Sequence, residues 1–295
     1  MHHLRSYPLV SIGKALCLGK GANLTARFVN ISGYRFVSIP DLVEMRWPLR
    51  DYCVDLGLKG TILLSKEGIN YFLAGSQDSI DKFLAYMGED ERFRDIPLKI
   101  SYSDHQPFKR MLVRLKKEII SMGNDEVKPE EFTGPSISPK EFKSWLDDGK
   151  EVIVLDTRND YEIRMGKFQN AVDLDIQTFR QFPNAIKELP DEMKGIPVVM
   201  YCTGGVRCEK ASVVMLDEGF ESVFQLEGGV LGYFEECGGS HWEGECFVFD
   251  RRVGLGPDLE ETDSILCYAC REPLIREDQL SEDYVFEQSC PYCIT

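Results

Sequence analysis

The chain has 295 residues, 43% of them hydrophobic and 28% charged, an ordinary composition for a globular protein and enough length for about two domains. No stretch approaches the roughly 18 unbroken apolar residues of a membrane-crossing helix, and the N-terminus lacks an apolar core followed by a small-residue cleavage site, so neither a membrane location nor a secretion signal is expected. The net charge of −15 argues against nucleic acid when taken whole, yet residues 1–125 hold 18 Lys and Arg against 14 Asp and Glu, while residues 126–239 hold 12 against 22 and residues 240–295 hold 4 against 13. A positive first part on an acidic chain hints at a polyanion partner, and surface variation explains it equally well.

Residues 1–27 carry scattered Gly and Lys without a period and read as an N-terminal extension. Tyr34–Ile39 reads as a strand. Pro40-Asp41 opens a helix to about Leu56 that must accommodate Pro48 and ends at Gly57. Leu58–Leu64 and Gly68–Ala74 read as strands joined by a turn at Ser65–Gly68. Ser76 caps a helix to about Met87, and Leu98–Ser103 is a fourth strand. The order β-α-β-β-α-β is the ferredoxin-like α+β pattern, assigned to residues 28–125. It shows no catalytic constellation and reads as a binding or scaffold domain. Near its end Lys109, Arg110, Arg114, Lys116 and Lys117 make five of nine residues basic. The run fits a phosphate-contact patch, and it equally fits a solvated face of a connector. Pro129, Gly134, Pro135 and Pro139 then mark a boundary, with residues 126–137 as a linker.

Residues 138–239 form the second domain. Ser138 caps a helix from Lys140 to Asp147, stopped at Gly149. Val152–Leu155 is a buried strand that runs into Asp156-Thr157-Arg158. Asp156 and Arg158 either brace the neighbouring loop as a pair or form a plain surface ion pair of little worth. A helix from Thr178 to Leu189 follows, then the apolar, β-branched run Ile196–Tyr201. Val223–Leu226 is a further strand that turns through Glu227-Gly228-Gly229. Alternating strands and helices predict an α/β domain with a mainly parallel sheet.

Cys202 stands where the Ile196–Tyr201 strand ends and a loop enters a helix from Cys208 to Glu218, with Gly219 as its stop. Such sheets place their sites at strand C-termini. Backbone N–H groups, the helix dipole and Arg207 all favour a thiolate there, so Cys202 is the candidate nucleophile. Four residues, Thr203, Gly204, Gly205 and Val206, separate Cys202 from Arg207. A phosphate-wrapping cysteine loop needs five, and the shorter ring suits the outer sulfur of a persulfide. The plain alternative is a buried structural cysteine.

Residues 240–295 form a cysteine-rich segment. Cys267-x2-Cys270, nineteen intervening residues and Cys290-x2-Cys293 match a four-thiolate structural zinc site, with a disulfide or a redox pair as alternatives. Cysteine usage points to a reducing cytoplasm. No G-x-G-x-x-G run is present, so no flavin or nicotinamide motif is seen. Four histidines, two of them at the N-terminus, make a two-histidine, one-carboxylate iron site implausible.

The C-x-x-G-x-R loop at Cys202 resembles the rhodanese family, as does Asp156-x-Arg158 followed by Tyr161-Glu162 and Gly166-Lys167-Phe168, although that family usually has histidine at Lys167. Three longer stretches narrow the resemblance: Gly60–Leu64 with Glu67–Asn70, Tyr201–Ser212, and Gly244–Asp250. With them the chain resembles the rhodanese-domain tRNA uridine hydroxylase family from about residue 30 to residue 295. Tyr71 stands where a small polar residue is more usual, and the N-terminal extension is unmatched. The resemblance implies an acylphosphatase-like N-terminal domain and a rhodanese domain. It implies formation of 5-hydroxyuridine at the tRNA wobble position, with molecular oxygen as co-substrate, an unidentified electron donor and Cys202 as the essential thiol. The anticodon base must then be unstacked to reach the loop. Cys202 thiolate or its persulfide acts as nucleophile or oxygen carrier on this view, with Cys208 as a resolving thiol. Two other readings stay open: a sulfurtransferase carrying sulfur on Cys202, and a zinc-stabilised interaction module with a vestigial loop.

Overall fold

The computed structural model describes residues 27–294, so the N-terminal extension lies almost wholly outside the described residues. The first domain runs β1 (Phe28–Phe36), α1 (Leu42–Asp55), β2 (Lys59–Ser65), β3 (Gly68–Gly75), α2 (Gln77–Gly88), β4 (Leu98–Ser103) and β5 (Met111–Leu115). The β-α-β-β-α-β order is present, and Ser76 caps α2 by accepting the Ser79 N–H at 3.1 Å. The helix through Pro48 is present as expected, and two other expectations need correction. The first strand starts at Phe28, not Tyr34; Asn30, Ser32 and Gly33 give that stretch the look of a loop. Pro48 lies exposed inside α1, where its missing N–H faces solvent and the helix runs on. The sheet has five strands rather than four, in the order β4-β1-β3-β2-β5, and the fifth is the basic run itself. Met111 and Val113 alternate into the core while the basic residues flank them, a period of two that the charge disguises.

Both helices cover one face of this sheet. Leu49 and Cys53 from α1 and Ile80, Phe83 and Met87 from α2 pack against Ile31, Ile62, Leu64, Ile69, Tyr71 and Leu73. Tyr71 is buried edge-on against Phe83, with ring centroids 5.5 Å apart. The other face carries no helix of this domain.

The second domain runs β6 (Ser136–Ile137), α3 (Pro139–Asp147), β7 (Ile153–Asp156), α4 (Asp160–Met165), β8 (Gly166–Phe168), α5 (Phe182–Lys187), β9 (Val198–Tyr201), α6 (Val206–Asp217), β10 (Val223–Leu226) and α7 (Gly229–Cys237). Its sheet has the order β6-β10-β9-β7, and every pairing in it is parallel. The expected linker is not free chain: it supplies β6, and Gly134 donates to Ser212 Oγ at 2.9 Å and accepts from Gln225 at 2.7 Å. The expected helix over residues 178–189 shrinks to α5 behind a 3₁₀ turn, and α6 begins two residues before Cys208.

The C-terminal segment holds β11 (Trp242–Gly244), paired with β8, then short hairpins of β12 (Cys246–Phe247) with β13 (Gly254–Leu255) and β14 (Ile265–Leu266) with β15 (Pro273–Leu274). No helix among the described residues is long and apolar enough to cross a membrane.

One buried cation ties the two domains together. Lys210 on α6 is 0% exposed, and its Nζ lies 2.8 Å from both Glu67 and Glu118. Tyr34 adds a hydrogen bond to Glu209 at 3.1 Å. These contacts hold the helix-free face of the first sheet over the loop that follows β9.

Candidate active site

Cys202 follows β9 directly, and α6 begins at Val206, so the loop is four residues long and Arg207 sits in the first helical turn. Gly205 caps α6 with φ 101°, a left-handed conformation that glycine adopts without strain. A Cβ there would also stand 2.9 Å from the Tyr34 hydroxyl. This turn aims the Gly205 N–H at Cys202 Sγ, 3.1 Å away. Cys202 is 1% exposed but forms part of the wall of a cleft.

Burial alone pushes the Cys202 thiol up. The Cys208 thiol hydrogen bond, the Arg207 charge and the Arg207 and Gly205 amides outweigh that and lower it to about 6. Cys208, fully buried and beside that sulfur, is pushed well up by burial first and by Cys202 second. One thiol of the pair is therefore poised to ionise while its neighbour stays protonated and donates.

Arg207 is not a free cation. Glu162 on α4 holds it with two hydrogen bonds, 2.6 Å and 2.7 Å, and both side chains are buried. Glu162 also accepts from the Asn159 N–H at 3.1 Å, which fixes its carboxylate. Burial pushes Glu162 up, and Arg207 more than reverses it, leaving the carboxyl below its ordinary range. Sequence reasoning missed this pairing, because nothing in the spacing of two residues 45 apart signals it. Behind the loop, Arg158 meets Asp156 at 2.6 Å with both side chains fully buried, and donates to the Gly166 carbonyl at 2.7 Å. The surface-pair alternative therefore does not hold.

The cleft has a volume of about 740 Å³, within the range of small-molecule sites. One wall is the loop Cys202–Arg207; the other is the helix-free face of the first sheet, with Tyr34, Asn70, Phe72 and Lys99. None of these four was foreseen as a site residue. The signal lay in the polar and aromatic positions that alternate with the core positions of β1, β3 and β4. Lys109, Arg110, Arg114, Lys116 and Lys117 do not line the cleft. They are exposed around the edge strand β5, and Lys117 pairs with Asp125 at 2.8 Å.

Cys267, Cys270, Cys290 and Cys293 come together away from the cleft, with all four sulfurs within 4.8 Å of one another. None is in a disulfide. Cys270–Cys290 and Cys290–Cys293 stand 3.6 Å apart. Four sulfurs bound to one zinc ion at about 2.3 Å would stand about 3.8 Å apart, so the donor set fits a tetrahedral thiolate-binding metal.

Residues 28–119 match the family described as UPF0176 acylphosphatase like domain, and residues 138–236 match the Rhodanese-like domain. The tRNA uridine(34) hydroxylase of Cupriavidus taiwanensis is 51% identical over 273 residues, covering 91% of this chain and 97% of that protein. The protein of that name from Cupriavidus necator gives the same identity and coverage, 51%, 91% and 97%. That of Burkholderia thailandensis is 48% identical over 274 residues, covering 90% of this chain and 93% of its own length. A solved rhodanese-like domain protein from Staphylococcus aureus is 28% identical with a TM-score of 0.28, covering 34% of this chain and 90% of that one. By sequence shared along nearly the full length of such relatives, the chain belongs to the tRNA uridine(34) hydroxylase family.

Proposed function

We propose that the protein hydroxylates uridine-34 of tRNA at C5, with molecular oxygen as co-substrate and Cys202 as the working thiol. The observation that carries this reading is the position of Cys202: an acidified thiol in a cleft roomy enough for one nucleotide, faced by a second domain. A plain sulfur carrier has no need of that second wall. Addition of the thiolate to the uracil ring would raise electron density at C5, the carbon to be oxygenated. One oxygen atom would end on C5 and the other in water, with an external two-electron donor balancing the reaction. If Cys202 is instead oxidised to a sulfenic acid, the Cys208 thiol beside it would displace water to form a disulfide, which the same donor would reduce. Cells grown under ¹⁸O₂ should carry one heavy oxygen in their hydroxyuridine-derived nucleosides; heavy oxygen arriving only from water would contradict the proposal. The sulfurtransferase reading keeps one observation in its favour, the short ring with its amide aimed at sulfur, and predicts thiosulfate–cyanide turnover without RNA.

The exposed basic residues around β5 are proposed to contact tRNA phosphates outside the cleft. Replacing Arg110 and Arg114 together with glutamine should weaken tRNA binding across sequences and lower the log–log salt slope by roughly 0.7–0.9 for each phosphate no longer neutralised. An unchanged slope would remove β5 from the interface.

The four-cysteine cluster is proposed to hold a structural zinc ion, which would stabilise a segment too small to bury a core of its own. Elemental analysis should find one zinc per chain. Cys290→Ser should lose the metal and lower thermal stability while leaving alkylation of Cys202 unchanged. Metal-free protein from a chelator-free preparation would contradict this assignment.

A further inference from the structure

The helix-free face of the first sheet lines up one row of side chains across four strands. In the register of the sheet, Lys99 on β4 pairs with Ser32 on β1, Ser32 with Phe72 on β3, and Phe72 with Thr61 on β2. The row therefore reads cation, hydroxyl, aromatic ring, hydroxyl. Side chains in such a row stand on one face about a strand spacing apart. Phe72 lies opposite the apolar core and is only half-buried, and the residues beside it are small, so its ring is not covered from either neighbouring strand. All four residues line the Cys202 cleft.

Two further features connect this row to the sulfur. Phe249 is 49% exposed, its ring centroid lies 6.4 Å from that of Phe72, and the Arg207 guanidinium carbon lies 5.9 Å from the Phe249 centroid. Phe249 thus spans the space between the sheet and the active loop. Lys99 reaches across to α7. A Cβ at Gly228 would stand 2.2 Å from its Nζ and one at Gly232 would stand 3.0 Å away, so two glycines make room for the ammonium. Gly228 has φ +73°, which favours glycine there in any case. Among the described residues Lys99 forms no ion pair. A cation without a carboxylate, beside open aromatic rings in a cleft, is suited to a ligand that brings its own anion and its own flat ring.

We infer that this row is the platform for the unstacked target nucleotide: the pyrimidine lies against Phe72 and Phe249, and Lys99 takes its phosphate. Every base has a π-face, and stacking on aromatic rings of a four-stranded sheet is a general way for proteins to hold single-stranded RNA. The hydroxyls of Ser32 and Thr61 flank the ring where a base edge would fall, and a hydroxyl can meet either the carbonyls or the N–H of uracil. The inference rests on the uridine-34 reading of the Cys202 site and adds to it the surface that holds the base.

The test uses the full chain and two RNA hairpins carrying the anticodon loop, one with uridine at the target position and one abasic there. Binding and Cys202-dependent turnover are measured on the same preparations. Phe72→Ala should weaken binding of the uridine hairpin by roughly 5- to 150-fold and leave the abasic hairpin unchanged. Phe72→Trp keeps a stacking ring and should bind as the parent does, which separates stacking from any folding defect of the alanine variant. Lys99→Gln should weaken both hairpins and lower the log–log salt slope by about 0.7, the value for one phosphate on a single strand. If Phe72→Ala affects both hairpins equally, or changes neither beyond twofold while the parent turns over the uridine hairpin, the platform is wrong and the hydroxylase reading survives. If the parent neither binds nor modifies the uridine hairpin, the hydroxylase reading itself falls, and the platform with it.

Discussion

Cys202→Ser is expected to lower turnover by roughly a thousandfold or more while leaving tRNA affinity unchanged. Serine fills the same space beside the Gly205 amide, so a folding defect should not intervene. What disappears is the thiolate. Burial raises the Cys202 thiol, and the Cys208 hydrogen bond, Arg207 and two amides bring it down to about 6. The sign follows directly: below about pH 6 the sulfur is protonated and inert, and as pH rises through that value the reactive fraction grows and then levels. Alkylation of Cys202 by iodoacetamide should trace that curve. A half-point near the ordinary thiol value of about 8.5 would mean that the loop does not activate the sulfur. Cys208 raises no such curve, since its thiol is held protonated by burial and by the neighbouring thiolate.

Glu162→Gln should be the most destabilising conservative change in the site. Arg207 and Glu162 are both buried, joined by bonds of 2.6 Å and 2.7 Å. Removing the negative partner leaves an uncompensated guanidinium out of water, which costs about 3–5 kcal/mol. At roughly 2–4 °C per kcal/mol, the melting point should fall by about 6–20 °C. Adding Arg207→Met to Glu162→Gln removes the stranded charge, so the double variant should be destabilised by less than the sum of the two single variants. Additive destabilisation would show that the pair acts separately and that the buried ion pair is not what holds α4 to the loop. Glu162 is thus a positioning residue: it sets where Arg207 sits, and Arg207 sets the charge at the sulfur.

The loop was the most legible part of the chain because its chemistry is local. Strand, glycines, cysteine and arginine lie within a dozen residues, and the hydrogen bond that matters spans only three. The four zinc-type cysteines were legible for the same reason, each pair being a C-x-x-C turn. What the sequence hid depends on distance along the chain. Glu162 meets Arg207 across 45 residues, and Glu118 meets Lys210 across 92. No spacing rule anticipates such partners: the first is set by how α4 and α6 pack within the second domain, the second by how the two domains dock. In the first domain, the fold was hidden where side-chain chemistry masked a period. The strand β5 alternates Met111 and Val113 inward with Leu112 and Arg114 outward, but the clustered charge draws attention to binding and away from pairing. In β1, Ser32 resembles a loop residue because its face is a cleft wall rather than a core, whereas Gly33 leaves room on the core face for Tyr71 and Ile96. Of these, Ser32 is the one whose side chain is now placed in the site.

Nucleoside mass spectrometry of tRNA from cells lacking this gene, complemented with the parent chain or with Cys202→Ala, tests the central claim most directly. Hydroxyuridine-derived nucleosides should vanish without the gene, return with the parent chain and stay absent with Cys202→Ala. Their persistence in the deletion strain with no second enzyme supplying them, or their full return with Cys202→Ala, would contradict the account.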